Sequence, residues 1–239
     1  MPLIELVGPS GCGKSTLARY LLRQRTHGSN WVSVAEEAAR NPLDHASYAA
    51  SELDNELLNR KIAWVTDFIR ESCPDSGYAR YRLLYFLHNA LISDQVMSAR
   101  YAGINMLTDD GLCHLFGFEL SEACAAHRQA VARRLDSRSF IVVRAQPGRL
   151  LANIRRRAAQ GAGLNAFAGR SEDDILEFAS RANERAAAFT AMLHRFGRPV
   201  LVVDADDDAW IGNSEIRAFV SSTFGSDMRG GSLDRQAGR

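Results

Sequence analysis

The chain has 239 residues, is 46% hydrophobic, and carries 29 basic against 28 acidic side chains for a formal net charge of +1. That balance excludes an overall basic field of the kind that gathers nucleic acid or an anionic membrane. The length and apolar content suit one α/β domain, with room for a helical insertion. Lys14 and Lys61 are the only lysines in a chain that otherwise uses arginine. A lysine kept at position 14 is therefore informative, because a compact ammonium suits a single phosphate position where a guanidinium is a planar fork. Cys12, Cys73, Cys113 and Cys124 form no C-x-x-C pair and no zinc-ligand spacing, so free thiols in a reducing compartment are expected. No apolar stretch is long enough to span a bilayer, and the chain opens on a strand-like run rather than a signal peptide. A cytoplasmic protein is expected.

In chain order, the runs 3–7, 31–35 (the weakest), 104–108, 140–143 and 200–203 read as buried parallel strands. Helical segments separate them, which predicts a doubly wound, five-stranded parallel sheet with helices on both faces. Functional residues then belong at the carboxyl ends of the strands. A glycine loop follows the first, Glu36 and Glu37 the second, Asp109 and Asp110 the third, Arg144 the fourth and Asp204 the fifth. The stretch 36–103 is too long for a plain crossover. It reads as two or three helices, including 48–69 and 80–101, with Pro74-Asp75-Ser76-Gly77 as a turn. Residues 160–170 are small and glycine-rich between two helices. The tail 226–239 lacks apolar periodicity and is expected to be disordered. The organisation expected is one domain over 1–225, with an acceptor-side helical insertion at 36–103 and a lid at 155–171.

The segment Gly8-Pro9-Ser10-Gly11-Cys12-Gly13-Lys14-Ser15-Thr16 matches G-x-x-x-x-G-K-[ST] in full. It follows a predicted strand and opens a predicted helix over 16–22, which is the context this phosphate-binding motif requires. The glycines let backbone N–H groups turn inward around phosphates, and the helix N-terminus adds partial positive charge. Gly8, Ser10, Gly11, Cys12, Gly13, Lys14, Ser15 and Thr16 are the expected nucleotide-binding residues. Lys14 should reach the β- and γ-phosphates of ATP, and the Ser15 hydroxyl should ligate Mg²⁺. Cys12 is either a reactive thiol near a helix N-terminus or a tolerated small residue.

Neither an N-K-x-D guanine-reading motif nor an L-S-G-G-Q signature appears. The segment 140–207 resembles the lid region and last strand of thymidylate kinases, and the chain is similar to the wider thymidylate and deoxynucleoside kinase branch of P-loop kinases. A strand is followed there by Pro147, by a helix with Leu150-Leu151-Ala152-Asn153-Ile154-Arg155-Arg156-Arg157, by Gly169-Arg170-Ser171-Glu172-Asp173, and by Val202-Val203-Asp204-Ala205. Gly169 stands where that family has an aspartate. The resemblance covers about the first forty residues and the last hundred and implies a lid whose Arg155, Arg157 and Arg170 close over the migrating phosphoryl group.

An acidic residue after an apolar strand beside the phosphate loop orients magnesium or its waters; Asp109 is the candidate, with Asp110 second, although an aspartate there also suits a helix cap. Deoxynucleoside kinases have an acidic residue followed by Arg-Ser at this point, where this chain has Asp-Asp-Gly. Glu36, ahead of Glu37, resembles the strand-end glutamate that meets the acceptor hydroxyl in those kinases and could accept its proton. Tyr78, Arg80, Tyr81, Arg82, Tyr85 and Phe86 either sandwich a flat anionic acceptor or pack as core. His88 and His114 read as ordinary polar residues. The expected reaction is transfer of the γ-phosphoryl group of ATP-Mg²⁺ to a small, nucleoside- or nucleotide-like acceptor. Two alternatives stay open: a kinase of a sugar or other metabolite, and a P-loop NTPase switch with a protein partner. No nucleic-acid or membrane partner is expected, and a homodimer is left open.

Overall fold

The computed structural model describes residues 2–25, 30–40, 49–72, 77–100, 104–160, 170–206 and 209–225, with side chains left out at 64, 65, 67–72 and 77–83. The expected features at 161–169 and 226–239, the turn at 74–76, and the side chains of Tyr78, Arg80, Tyr81 and Arg82 lie outside these residues.

Five strands form one parallel sheet: β1 (Leu3–Val7), β2 (Trp31–Ser33), β3 (Asn105–Thr108), β4 (Arg138–Arg144) and β5 (Val200–Asp204). Their order is β2-β3-β1-β4-β5, so β1 is central and has later strands on both sides. Leu3 lies beside Met106 on β3 and beside Arg138 on β4, and Arg144 of β4 pairs in register with Asp204 of β5. The described helices are α1 (Lys14–Arg23), α2 (Val34–Arg40), α3 (Glu52–Ser72), α4 (Gly77–Arg100), α5 (Leu112–Ala123), α6 (Arg128–Arg134), α7 (Pro147–Ala159), α8 (Glu172–Arg195) and α9 (Ser214–Phe224).

Alternation along β4 assigns the two faces, since successive strand side chains point to opposite sides. Phe140 and Val142 join Leu57 of α3, Leu91 of α4, Phe116 of α5 and Phe189 of α8 in one core. Ile141 and Val143 join Leu17 and Leu21 of α1, Leu150 of α7 and Ile216 and Val220 of α9 in the other. Burying such side chains contributes roughly 1.5–3 kcal/mol each, and this fixes which face each helix covers. Helix starts are set locally. Ser51 and Asp54 exchange backbone and side-chain hydrogen bonds at the start of α3, and Ser171 and Asp174 do the same for α8, satisfying amides that a helix start leaves free. Pro147 opens α7, where its missing N–H costs nothing.

The second expected strand, 31–35, is shorter than its composition suggests. It ends at Ser33, and Val34 already begins α2. Alanines and glutamates after Val34 favour helix over an extended edge, so Glu36 and Glu37 stand in the first turn of α2 rather than on a strand-end loop. The first helix begins at Lys14, two residues before the expected start, because Gly13 serves as its N-cap. Within 36–103 the described helical residues belong to α2, α3 and α4, and Ile104 stays outside β3.

Candidate phosphate and metal loops

Because β1 and β3 are neighbours and parallel, the loops that leave their carboxyl ends lie side by side. The first, 8–13, runs from Val7 into α1. Gly8 has φ +150°, and a Cβ there would lie 2.2 Å from the Val143 carbonyl oxygen, so only glycine fits. Lys14 is buried, and its Nζ donates to the carbonyl oxygens of Gly8 at 2.9 Å and Pro9 at 3.0 Å. The ammonium is thus held over the loop by the loop's own backbone. An ammonium has three donors and no acceptor, and an anion in the loop would offer it stronger, charge-assisted partners than neutral carbonyls. Ser15 and Thr16 expose their side chains at the start of α1. Cys12 is buried, and burial pushes its thiol pKa up against the pull of Lys14. Both features run against the lowered pKa that a reactive thiol requires.

The second loop, Asp109-Asp110-Gly111, runs from Thr108 into α5. The Asp110 amide donates to Thr108 Oγ1 at 3.3 Å. Partial desolvation and then the neighbouring Asp109 raise the pKa of Asp110, an exposed residue, from its ordinary value, while Lys14 pulls the other way. These groups thus share one electrostatic field at the sheet's carboxyl end. Among the described residues no group of three or more metal-ligating side chains is assembled. The donor set of one hydroxyl and one or two carboxylates fits a hard cation that keeps waters and is bound mainly by phosphate oxygens.

The arginines expected in a lid flank the undescribed segment on both sides. Arg155 and Arg157 are exposed on α7, and Arg155 pairs with Glu172 at the start of α8. Arg170 is half-buried just before the Ser171 cap. Asn153, one residue before Ile154 on α7, donates its Nδ2 to the Gly11 carbonyl at 2.9 Å. That bond fastens the arginine-bearing helix to the phosphate loop, and the sequence reading did not single it out. Arg144 and Asp204 meet in a two-bond ion pair at 2.9 Å each and are both exposed.

Glu36 does not present a free carboxylate. Its two oxygens accept from Arg25 Nη1 and Nη2, both at 3.2 Å. Tyr85 and Phe86 are exposed on α4 and lie outside the core. Lys61 of α3 pairs with the buried Glu119 of α5 at 3.1 Å, and burial lowers the lysine's pKa. His114, in the first turn of α5, has a buried Nδ1 with no hydrogen-bond partner among the described residues. Burial, with Lys14 and Lys61 adding to it, pushes its pKa well below the ordinary value of 6.5. Burial of the ring atoms thus favours its neutral form, although the residue as a whole is only half-buried.

Glu5 also escaped the sequence reading. It is fully buried in the middle of β1 and accepts from the His114 amide and from Arg138. A charge inside an otherwise apolar strand was the available signal, since a buried carboxylate requires partners.

No family model matches the chain, and no curated protein matches it in sequence. One solved structure it is similar to, a provisionally named kinase from Chloroflexus aurantiacus, is 16% identical with a TM-score of 0.39, over 92% of this chain and 97% of that one. That similarity is too low to carry an activity or a substrate across.

Proposed function

We propose that the protein is a P-loop phosphotransferase that moves the γ-phosphoryl group of ATP, as its magnesium complex, to a small acceptor of nucleoside or nucleotide type. One observation carries the reading: a complete G-x-x-x-x-G-K-S loop leaves the central strand, opens α1, and holds Lys14 over the Gly8 and Pro9 carbonyls beside the Asp109–Asp110 loop. The nucleoside or nucleotide class of the acceptor rests on the resemblance of 140–207 to thymidylate kinases.

In this reading an acceptor oxygen attacks the γ-phosphorus while the bond to the β,γ-bridging oxygen breaks, and ADP leaves with that electron pair. Lys14 neutralises charge that develops on the β- and γ-oxygens. Ser15 would hold magnesium directly and Asp109 would hold it or its waters; the cation supplies further charge neutralisation. The acceptor's proton would pass to Glu36, which requires the Arg25 pair to open or share its carboxylate. Arg155, Arg157 and Arg170 stand at the two ends of the segment expected to close.

The test is ATP turnover with panels of nucleosides, nucleotides, sugars and other small metabolites. A nucleoside or nucleotide should stimulate ADP formation and gain the phosphoryl group by mass spectrometry. Stimulation by sugars alone would move the acceptor class, and stimulation by a macromolecule alone would replace a kinase with a switch. With the acceptor in hand, Arg170→Ala should lower kcat about 10²-fold, as loss of a transition-state contact typically does. KM for ATP should change much less. An unchanged kcat would remove Arg170 from the lid.

A further inference from the structure

Helix α5 starts without a cap of its own. Its N-cap residue is Gly111, which has no side chain to accept from the first-turn amides. The missing acceptor comes from another strand. Glu5 Oε1, on β1, accepts from the backbone N–H of His114, the third residue of the helix, at 2.8 Å. That is the bond an N-cap side chain would make, supplied from a residue 109 positions away. Arg138 Nη1 holds the other oxygen, Oε2, at 3.2 Å. Arg138 is itself fixed by Asp94 of α4 at 2.6 Å and by donating its Nε to the Arg134 carbonyl at 2.6 Å. The carboxylate is therefore fixed on both oxygens.

The glycine is part of the same arrangement. A Cβ at Gly111 would lie 2.5 Å from Glu5 Oε1 and 2.8 Å from Thr108 Cγ2. Glycine is needed here for close approach, since its φ of −89° is open to any residue. Glu5 thus presses against the loop that carries Asp109 and Asp110, two and one residues before Gly111.

We propose that Glu5 is the positioning residue of the magnesium side of the site: it caps α5 from β1 and so sets where Asp109 and Asp110 stand relative to the phosphate loop. The proposal rests on the phosphotransferase reading for what the loop holds, but the tie itself is independent of it. Glu5 touches neither phosphate nor metal in this role. It acts through the loop. The placement also accounts for a charged residue in the central strand, which leads into the phosphate loop and lies beside the strand that bears the second loop.

The experiment compares wild type, Glu5→Ala, Glu5→Gln and Gly111→Ala in two measurements. Hydrogen exchange is followed at 111–115 in protein without nucleotide or metal. Binding of a fluorescent ADP is followed as magnesium is titrated, with binding in EDTA as the reference. Glu5→Ala removes the acceptor and should speed exchange at 111–115 at least tenfold and raise the half-saturating magnesium concentration about five- to tenfold, with binding in EDTA changed less than twofold. Glu5→Gln retains an acceptor for the His114 amide and should stay within about threefold of wild type on both readouts, even where its melting temperature falls. Gly111→Ala leaves every charge in place and should raise the magnesium requirement as Glu5→Ala does, so a Glu5→Ala variant that does not fold leaves the proposal testable. A magnesium requirement unchanged in Gly111→Ala, or in folded Glu5→Ala, would overturn it. Equal loss in Glu5→Gln and Glu5→Ala would also overturn it, since that outcome marks a general packing role. Wild type that binds no nucleotide would instead overturn the phosphotransferase reading, while exchange at 111–115 would still decide whether Glu5 holds the loop.

Discussion

The two loops at the carboxyl end of the sheet do similar work by different means. Each leaves a buried parallel strand, each opens a helix, and each helix has a glycine at its N-cap with no side-chain cap of its own. The phosphate loop is closed by its own neighbours: Lys14 reaches back five and six residues to Pro9 and Gly8. The aspartate loop is held by Glu5, and Glu5 in turn by Arg138, both remote in sequence. The difference teaches where each loop is vulnerable. The first depends on backbone shape and one ammonium. The second depends on a buried ionic network that runs through Arg138, Asp94, Arg134 and Asp54 to α3 and α4.

The sharpest way to break that contrast is to remove the centre of the network. Arg138→Met would leave Glu5 and Asp94 as buried carboxylates without their shared partner. Removing one member of a buried pair costs about 3–5 kcal/mol, so urea denaturation should show a loss in that range. The loss should shrink as pH falls, because Glu5 is already pushed towards its protonated form by burial and can take up a proton in the variant. A loss under about 1 kcal/mol at neutral pH would mean that the network does not hold the second loop.

The phosphate loop should break through shape instead. Gly8→Ala places a Cβ against the Val143 carbonyl at a positive φ, and overpacking of this kind costs about 1–3 kcal/mol. Nucleotide binding should fall with it, while hydrogen exchange at 111–115 stays near wild type. Equal disturbance of both loops would show them to be one cooperative unit.

The smallest expected effect is a pH dependence at the start of α5. The His114 ring has a folded pKa well below 6.5, so the unfolded chain takes up a proton over a range where the fold keeps the ring neutral. Stability should therefore rise as pH climbs towards about 6.5 and level off above it. Acidification below that point should cost at most about 1.4 kcal/mol per pH unit from this group. His114→Gln should flatten that part of the profile, and an unchanged slope would assign it to other groups.

What could be read from the sequence follows the same division. The phosphate loop was legible because its residues are contiguous and its flanking strand and helix share the local pattern. The five strands were legible because buried parallel strands are apolar runs, with errors of a few residues at their ends. The Ser33–Val34 boundary was missed because β-branched residues at 31–35 resemble a strand while alanine and glutamate already favour helix. The cap on α5 was not legible at all. It joins Glu5 to His114 across 109 positions, and only the sheet order brings them together. Asn153, which reaches Gly11 across 142 positions, was hidden for the same reason.

The central claim is that the first loop binds the phosphates of a nucleoside triphosphate through Lys14. Isothermal titration of ATP with magnesium into wild type and Lys14→Ala tests it most directly, with circular dichroism to show that the variant is folded. Wild type should bind one equivalent. Lys14→Ala should bind at least about 10²-fold more weakly, the scale expected when charge-assisted hydrogen bonds to phosphate are lost. A folded Lys14→Ala variant with wild-type affinity, or a wild type that binds no triphosphate, would contradict the account.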